Sequence, residues 1–344
     1  MNKKKLDLKG FSLSELNDFV VSLGEKPYRA KQLSTWIYKY GCNDFSSMTN
    51  FSQSFREKLC SQAEISSLNL AKALESSDGT EKFLFQLSDG KKIESVLIPE
   101  KRRITLCLST QVGCPLGCLF CATAKMGFTR NLSTGEILDQ IIKVQSQKGP
   151  LTNLVLMGMG EPLLNYEATM KAVRIINRVE GFQMGARKIT VSTAGIIPSI
   201  ERLSEEKLQI KLAVSLNATV DTVRNYLMPI NKKYPLRVLL SAIRNFVKIT
   251  KKRITFEYIL ISDINDSLKD AERLSKIAQE IPCKINLIPL NPFPNSFLKP
   301  PTLKKILQFR DYLYPRTPAV TLRISRGQDI LAACGQLGLL HQPL

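Results

Sequence analysis

Histidine is almost absent from this 344-residue sequence, and its scarcity excludes several kinds of active site. The one histidine, His341, stands close to the C-terminus. A Ser-His-Asp triad would have to use this residue, and a zinc site of the HExxH type is excluded because it needs two histidines. The chemistry of the chain must therefore depend on cysteine, carboxylate or lysine side chains, or on a cofactor.

Long apolar runs are also missing. No stretch approaches the roughly 18 consecutive apolar residues that span a bilayer. The basic start, MNKKKLDLKGF, has no apolar segment behind it and so differs from a secretory signal. No amphipathic anchor or lipidation motif points to a membrane surface. We therefore expect a soluble, cytoplasmic, monomeric protein without a membrane partner.

Acidic residues are too few to balance the basic ones. The formal net charge is +19, of which +1 lies in residues 1–100 and +18 in residues 101–344. A protein this cationic favours polyanionic partners. Each basic cluster, such as 251–253, is by itself ordinary solvated surface, but the total excess favours a nucleic acid.

Short β-branched apolar runs recur along the C-terminal two thirds of the chain, about 36 residues apart, which is near the size of one βαβ unit. They begin at Ile104, Asn153, Lys188, Lys211, Ile254 and Lys284, and a further run covers 320–325. Helical patterns lie between them, for instance at 135–145 and 166–179. Strands that alternate with helices predict an α/β fold with a parallel sheet and helices outside it. Ligands gather at the C-terminal ends of such strands.

The first hundred residues have a different pattern. Apolar residues at helical spacing, for example over 27–40, predict short helices. The segments KFLFQL and KKIESVLIPE, separated by the turn sequence Ser-Asp-Gly, predict a β-hairpin. We expect three parts: an N-terminal helical domain at 1–65, a β-hairpin connector at 66–100 and a main domain with a C-terminal extension at 101–344.

Three of the eight cysteines lie within eight residues, after the first predicted parallel strand. The segment reads Cys114-Pro-Leu-Gly-Cys118-Leu-Phe-Cys121. Closely spaced cysteine thiolates hold iron–sulfur clusters, and three ligands leave one iron of a four-iron cluster open. The alternative is a structural zinc ion. Zinc prefers four protein ligands, commonly as two closely spaced pairs, and the sequence has no second pair.

The spacing of these cysteines, with Phe120 directly before the last one, resembles the signature of the radical S-adenosylmethionine (SAM) superfamily. The resemblance implies a partial (βα)6 barrel and one [4Fe-4S] cluster held by Cys114, Cys118 and Cys121. It implies further that SAM binds the open iron and is cleaved reductively to a 5′-deoxyadenosyl radical. An electron donor of the flavodoxin or ferredoxin type is expected as a partner.

Polar residues follow the other predicted strands, at the ends where ligands gather. Each one alone is more often a strand-end cap, but several around one rim favour a binding site. A glutamate there is able to accept from an ammonium group, and an asparagine amide is able to pair with an adenine edge. The residues that the resemblance assigns to SAM binding are Gly160, Glu161, Ser192, Ser215, Leu216, Asn217 and Asn291.

From about residue 12 to 340 the chain resembles one family of this superfamily, the RlmN-type dual-specificity RNA methyltransferases. The motifs that carry the resemblance are ESVLIPE from 94, QVGCPLGCLFCATAKMGFTRNLSTGEI from 111, NLVLMGMGEPLLN from 153, LMPIN from 227, NPFP from 291 and SRGQDILAACGQL from 325. The resemblance implies methylation of adenosine C2 in 23S rRNA and in tRNA near the anticodon, and it implies that the helical domain at 1–65 binds RNA. Many relatives carry histidine where this chain has Asn217, so a side-chain contact there is altered whereas a backbone contact survives.

Adenine C2 is electron-poor and cannot attack the methyl group of SAM as a nucleophile. The resemblance implies a relay instead, which uses two SAM molecules per turnover. Cys334 takes a methyl group from the first SAM, and cleavage of the second activates that methyl carbon, which joins adenine C2. Glu94 removes the C2 proton. Cys107 then attacks the sulfur of Cys334, which forms a transient disulfide and releases the product.

Each of these three residues also has a plainer interpretation. Cys107 and Cys334 fit small buried core residues, the usual role of a free cysteine. Glu94 fits an exposed glutamate at a strand end. On a strand it shares a face with Val96 and Ile98, and an apolar environment raises the pKa of a carboxyl group, which suits a proton acceptor.

Three other functions stay open on the sequence alone. The first is the same machinery acting at adenosine C8, as in the related resistance methyltransferases. The second is a non-catalytic RNA-binding protein with a structural metal. The third is a radical SAM enzyme that acts on a small metabolite, against which the basic surface and the N-terminal helices speak.

Overall fold

The computed structural model describes residues 5–339, so His341 lies outside the described part of the chain. The helices of the described residues are α1 (Leu13–Ser22), α2 (Tyr28–Ser34), α3 (Gln53–Gln62), α4 (Ala122–Lys125), α5 (Thr134–Lys148), α6 (Tyr166–Asn177), α7 (Ile197–Ser204), α8 (Asp221–Leu227), α9 (Leu236–Thr250), α10 (Leu268–Glu280) and α11 (Leu303–Leu313). The strands are β1 (Leu6–Asp7), β2 (Ala63–Glu64), β3 (Asn69–Glu75), β4 (Glu81–Gln86), β5 (Lys92–Glu100), β6 (Arg103–Cys107), β7 (Gln111–Gly113), β8 (Phe128–Asn131), β9 (Asn153–Leu156), β10 (Ile189–Thr193), β11 (Lys211–Ser215), β12 (Ile254–Leu260), β13 (Cys283–Pro289) and β14 (Val320–Leu322).

Ten of these strands form one sheet, in the order β14-β13-β12-β11-β10-β9-β6-β5-β4-β3. From β6 to β14 every neighbouring pair is parallel, whereas β3 to β6 pair antiparallel. A strand occurs at each of the seven apolar runs, so the predicted α/β fold with a parallel sheet is confirmed.

The parallel strands are apolar because helices cover one of their faces and the barrel interior the other. In β11, for example, Leu212, Ala213 and Val214 are all buried. Side chains from β9 through β13 line one common cavity, so the sheet curves into a partial barrel. This curvature of the sheet brings residues from the ends of distant strands to one site.

Two of the outer helices begin at a capping box. In α5 the Ser133 hydroxyl accepts from the backbone N–H of Glu136, whose carboxylate accepts from the Ser133 N–H, and α10 has the same capping box at Ser267 and Asp270. Both helices bury an apolar stripe against the sheet. Among residues 5–339, no helix is both long and apolar enough to cross a membrane.

The N-terminal helices pack against the barrel through buried contacts. Lys9 forms a buried ion pair with Asp139 of α5, and the ring of Tyr38 contacts that of Phe182. The helical pattern over 27–40 is present, but α2 ends at Ser34 and continues as a π-helical segment over Thr35–Lys39.

The predicted β-hairpin is formed by β4 and β5, with Glu81 opposite Leu97 and Gln86 opposite Lys92. Its second strand, β5, also pairs with β6, the first strand of the parallel series. Hydrogen bonds of one sheet therefore cross residue 100, and the division into three parts at 65 and 100 stays a prediction.

Candidate active site

The three clustered cysteines lie on a loop between β7 and α4. Gly113 begins this loop with φ +76°, and a Cβ atom there would lie 1.9 Å from the carbonyl oxygen of Gly127. Only glycine allows this approach, which also lets the Cys114 N–H donate to the Gly127 carbonyl at 2.9 Å. Cys114, Cys118 and Cys121 then line the same cavity at the C-terminal end of the barrel strands.

The surroundings of these thiols fit an iron–sulfur cluster better than a single metal ion. Burial raises the pKa of Cys114 to about 12 and that of Cys118 and Cys121 above their ordinary value, and the neighbouring thiols add to the rise. Such thiols ionise only when a strong positive charge binds them. In the part of the chain that the structure describes, no three histidine, cysteine or acidic side chains converge on one metal position. Cluster ligands need not converge, because each binds a different iron, so this donor set fits the cluster.

Glu161 and Gly160 form the next part of the cavity wall. The Glu161 carboxylate accepts from the backbone N–H groups of Ala194 (2.8 Å) and Leu163 (3.0 Å). Burial raises its pKa to about 7, although these hydrogen bonds oppose the rise. Gly160 has φ +97°, and a Cβ atom there would lie 2.5 Å from the Cβ of Gln111, so a larger residue would displace this wall.

Of the other residues predicted to bind SAM, Ser192, Ser215 and Asn217 line the cavity. Leu216 and Asn291 do not. Leu216 is fully buried, and its carbonyl accepts from the Arg224 guanidinium at 3.0 Å. The Asn291 side chain donates to the Cys334 carbonyl at 3.0 Å, so the structure places it behind the cavity wall.

The side chain of Asn217 forms hydrogen bonds within the protein. Asn217 has φ +56°, a left-handed conformation that asparagine tolerates. Its Oδ1 accepts from the Ile259 N–H at 2.9 Å, and its carbonyl accepts from Asn265 Nδ2 at 2.7 Å. These bonds tie the end of β11 to that of β12, beside the cavity.

Arg224 is a residue of this site that sequence reasoning missed. It is fully buried on α8, and its guanidinium donates to the carbonyls of Leu216 (3.0 Å), Ala194 (2.8 Å) and Ser215 (3.1 Å) and to Asn231. One side chain therefore fixes the ends of β10 and β11. Burial lowers its pKa to about 10, and the neighbouring Cys118 opposes this. The one sequence signal for it is its position three residues before the LMPIN motif.

Cys107 and Cys334 are brought together although 227 residues separate them in the chain. Both line one narrow cavity, whose other walls include Val96 and Ile98 of β5. Cys107 is buried at the end of β6, and burial, together with the nearby Cys334, raises its pKa to about 12. Cys334 is half-buried and also lines the cavity of the three clustered cysteines. Cys334 is thus the one cysteine that lines both the cavity of the three clustered cysteines and the narrow cavity of Cys107.

Glu94 is fully buried, so its interpretation as an exposed strand-end glutamate is wrong. Its surroundings are also not purely apolar as predicted, because its carboxylate lies 3.6 Å from the Lys82 ammonium. It accepts from the Gly338 N–H at 3.2 Å, four residues beyond Cys334. The carboxylate thus contacts the segment that carries Cys334 without lining either cavity.

The C-terminal segment, residues 325–339, is held on the antiparallel part of the sheet by two carboxylates. Asp78 accepts from the Gly327 N–H at 2.9 Å. Asp329 accepts from the Ser76 hydroxyl at 2.6 Å and from the Ser77 N–H at 3.1 Å. This docking, together with the Lys82 ammonium that donates to the Leu331 carbonyl, positions Cys334 over the barrel.

Family models match both parts of the chain. The radical SAM superfamily matches residues 108–274, and the ribosomal RNA large subunit methyltransferase N-terminal domain matches residues 6–65. With the three-cysteine loop at the mouth of a parallel partial barrel, these matches define the class: the chain is an enzyme of the radical SAM superfamily, whose cofactors are SAM and a [4Fe-4S] cluster.

Curated relatives narrow this class to one family. The chain is 46% identical over 334 residues to the dual-specificity RNA methyltransferase RlmN of Geotalea uraniireducens (97% of both chains), and 47% identical over 340 residues to that of Syntrophus aciditrophicus (98% of this chain and 97% of the relative). A crystal structure of a radical SAM methyltransferase from Sphaerobacter thermophilus superimposes with a TM-score of 0.92 at 43% identity, covering 97% of this chain and 99% of that one. The chain belongs to the RlmN family of dual-specificity RNA methyltransferases.

Proposed function

We propose that the chain methylates C2 of adenosine in 23S rRNA and in tRNA near the anticodon, with Cys334 as the methyl carrier. The observation that carries this proposal is the position of Cys334, which lines both the cavity of Cys114, Cys118 and Cys121 and the narrow cavity of Cys107. A thiol in this position faces a methyl source on one side and a second thiol on the other.

The cluster belongs on Cys114, Cys118 and Cys121, and SAM beside Gly160, Glu161, Ser192, Ser215 and Asn217, with Leu216 and Asn291 supporting the wall. When bound, these cofactors supply a methyl group and a radical able to activate a methyl C–H bond. We propose one cluster and two SAM molecules per turnover, and an electron donor of the flavodoxin or ferredoxin type.

The chain's own residues carry the remaining steps. Cys334 holds the methyl carbon as a thioether until that carbon is bonded to adenine C2. Glu94 accepts the C2 proton, and the Cys107 thiolate attacks the sulfur of Cys334. The bond between that sulfur and the product carbon then breaks with its electron pair on the carbon, which takes up a proton to complete the methyl group, and a disulfide forms between the two cysteines. We propose further that the enzyme acts as a cytoplasmic monomer.

The decisive test is the identity of the product nucleoside. The reconstituted enzyme is incubated with SAM, a reductant and either a 23S rRNA fragment or unmodified tRNA, and the RNA is digested and analysed by mass spectrometry. The proposal expects 2-methyladenosine in both RNAs and none with the Cys118→Ala variant. 8-Methyladenosine would assign the resistance-type reaction instead. RNA binding without any methylated product, by a zinc-containing protein, would assign a non-catalytic role.

A further inference from the structure

A second cavity, of about 530 Å³, opens at the opposite end of the barrel from the three clustered cysteines. Inward-facing residues at the starts of four neighbouring strands line it, among them Thr190, Lys211, Thr255 and Lys284. Side chains alternate along a strand, so the same strands direct Ser192 and Ser215 into the first cavity. The two cavities are thus the two ends of one barrel interior.

Cations dominate the lining of this second cavity, which we call the basic cavity. Six basic side chains line it, and they are Arg187, Lys211, Lys252, Arg253, Lys284 and Arg323. Glu257 is the one carboxylate in the lining, and it is buried and accepts from Asn286 Nδ2 at 2.7 Å. The lining therefore carries a large excess of positive charge.

In the described part of the chain, these six basic side chains form no ion pairs. Within residues 5–339, none of the six lies within 4 Å of a carboxylate oxygen. Elsewhere on the surface, basic side chains do find such partners, as Arg130 does with Glu136 and Lys305 with Asp263. Unpaired cations gathered around one opening repel one another, and an anionic ligand relieves that repulsion.

The basic cavity adjoins the place where Cys107 and Cys334 meet. Met157 and Arg323 line all three cavities, the basic one, that of the clustered cysteines and that of the two thiols. The basic cavity therefore shares walls with the cavities that Cys334 lines, on the side away from the cluster loop.

We propose that the basic cavity is the entrance for the RNA substrate, whose phosphates contact Arg187, Lys211 and Arg253 while one unstacked adenine enters the barrel. This inference rests on the proposed function and adds the route by which RNA reaches Cys334. An adenine inside a helix does not reach a buried thiol, so the nucleotide must be extruded or already single-stranded. Cations spread around a wide opening match successive phosphates of a strand, whereas one small anion would use only one or two of them.

The test compares two triple variants of equal charge. The first replaces Arg187, Lys211 and Arg253 by glutamine; all three are exposed, so the fold should tolerate the change. The control replaces Lys248, Lys269 and Lys304 by glutamine, which are exposed on α9, α10 and α11 and make no ion pair in the described residues. Affinity for an unmodified tRNA anticodon stem-loop is measured from 50 to 300 mM salt, and melting temperatures verify folding.

Each phosphate contact contributes roughly 0.7–0.9 to the slope of log K against log salt. We expect the first variant to bind at least tenfold more weakly than the unchanged enzyme, with a slope lower by about 2. The control should lose much less affinity. Equal losses in both variants, or no loss in the first, would overturn the entrance assignment.

The outcome is separable from that of the proposed function. If the unchanged enzyme forms 2-methyladenosine and the first variant binds RNA normally, the proposed function stands and only the entrance is wrong. If the unchanged enzyme neither binds nor methylates RNA, the proposed function fails and the entrance fails with it.

Discussion

The backbone N–H of Ala122 donates to the carbonyl of Gly335 at 2.7 Å. Ala122 directly follows the last cluster cysteine, and Gly335 directly follows Cys334. The loop that is proposed to hold the cluster and the loop that is proposed to carry the methyl group are thus joined by a main-chain hydrogen bond, and the position of one thiol depends on that of the other.

This junction has room only for glycine. Gly335 has φ +84°, and a Cβ atom there would lie 2.7 Å from the Phe120 carbonyl oxygen. We predict that Gly335→Ala lowers methylation of Cys334 severalfold and destabilises the fold by about 1–3 kcal/mol. Gly24→Ala is the matched control, because Gly24 has a similar φ of +78° but open space at its Cβ position. Urea unfolding and the mass of the Cys334 peptide measure the two effects; equal methylation in both variants would contradict the prediction.

Docking of the C-terminal segment should weaken in acid. Burial alone raises the pKa of Asp78, but hydrogen bonds from Thr80 and Gly327 lower it to about 2, and the hydrogen bond from Ser76 lowers the pKa of Asp329. A carboxyl whose folded pKa is depressed stabilises the fold above its unfolded pKa, near 4, and this contribution is lost as the pH falls from about 4 towards 2.

We therefore predict that protease cleavage within residues 325–339 accelerates below about pH 4 in the unchanged enzyme. The Asp78→Asn and Asp329→Asn variants should already be cleaved faster at neutral pH and should respond less to acid. Asp44→Asn is the control, since Asp44 also has a depressed pKa but caps a local turn through Ser46. The measurement is limited proteolysis followed by peptide mapping, and identical cleavage of all variants would rule out the two-carboxylate docking.

Arg224 should be more sensitive to replacement than an exposed arginine. A lysine in its place keeps the charge but loses the planar fork that reaches the carbonyls of Leu216, Ala194 and Ser215 together. We predict that Arg224→Lys costs about 2–4 kcal/mol of unfolding free energy, because buried carbonyls lose their donors, and raises the KM for SAM. Arg244→Lys, at an exposed ion pair with Glu280, should change stability by less than about 1 kcal/mol. Comparable losses at both positions would show that Arg224 does not organise the rim.

Replacing Cys107 should stop the reaction after the RNA is attached. Without a second thiol to attack the sulfur of Cys334, the bond between enzyme and RNA persists. We predict that Cys107→Ala accumulates a covalent protein–RNA species, visible on denaturing gels and absent when Cys118 is also replaced. Cys283→Ala is the matched control, because Cys283 is also buried but lines none of the three cavities. Release of free methylated RNA by Cys107→Ala would remove the proposed role of Cys107.

Local patterns made the fold predictable and singled out three cysteines as candidate cluster ligands. The parallel strands are recognisable as short apolar runs, because helices cover one of their faces and the barrel interior the other. The three cysteines of the loop after β7 all lie within eight residues. The pairing of Cys107 with Cys334 came only from family resemblance, since neither residue stands in a local pattern that distinguishes a catalytic thiol from a core cysteine.

Features built from distant parts of the chain were not predictable. Asp329 bonds Ser76 across 253 residues, and the basic cavity collects cations from several strand starts that are separate clusters in the sequence. The register of β4 and β5 places Glu94 opposite Leu84, two residues along the strand from Lys82. This register brings the Lys82 ammonium close to the Glu94 carboxylate. In each case tertiary folding, and not local composition, selects the partner.

The mass of the peptide that contains Cys334 tests the central claim most directly. The enzyme is reconstituted with its cluster under anaerobic conditions, incubated with SAM without RNA and digested, with Cys283 as an internal reference thiol. The account predicts that the Cys334 peptide gains the mass of one methyl group while the Cys283 peptide is unchanged. An unmodified Cys334 peptide from a protein with an intact cluster would contradict the account, because the enzyme would then have to carry its methyl group elsewhere.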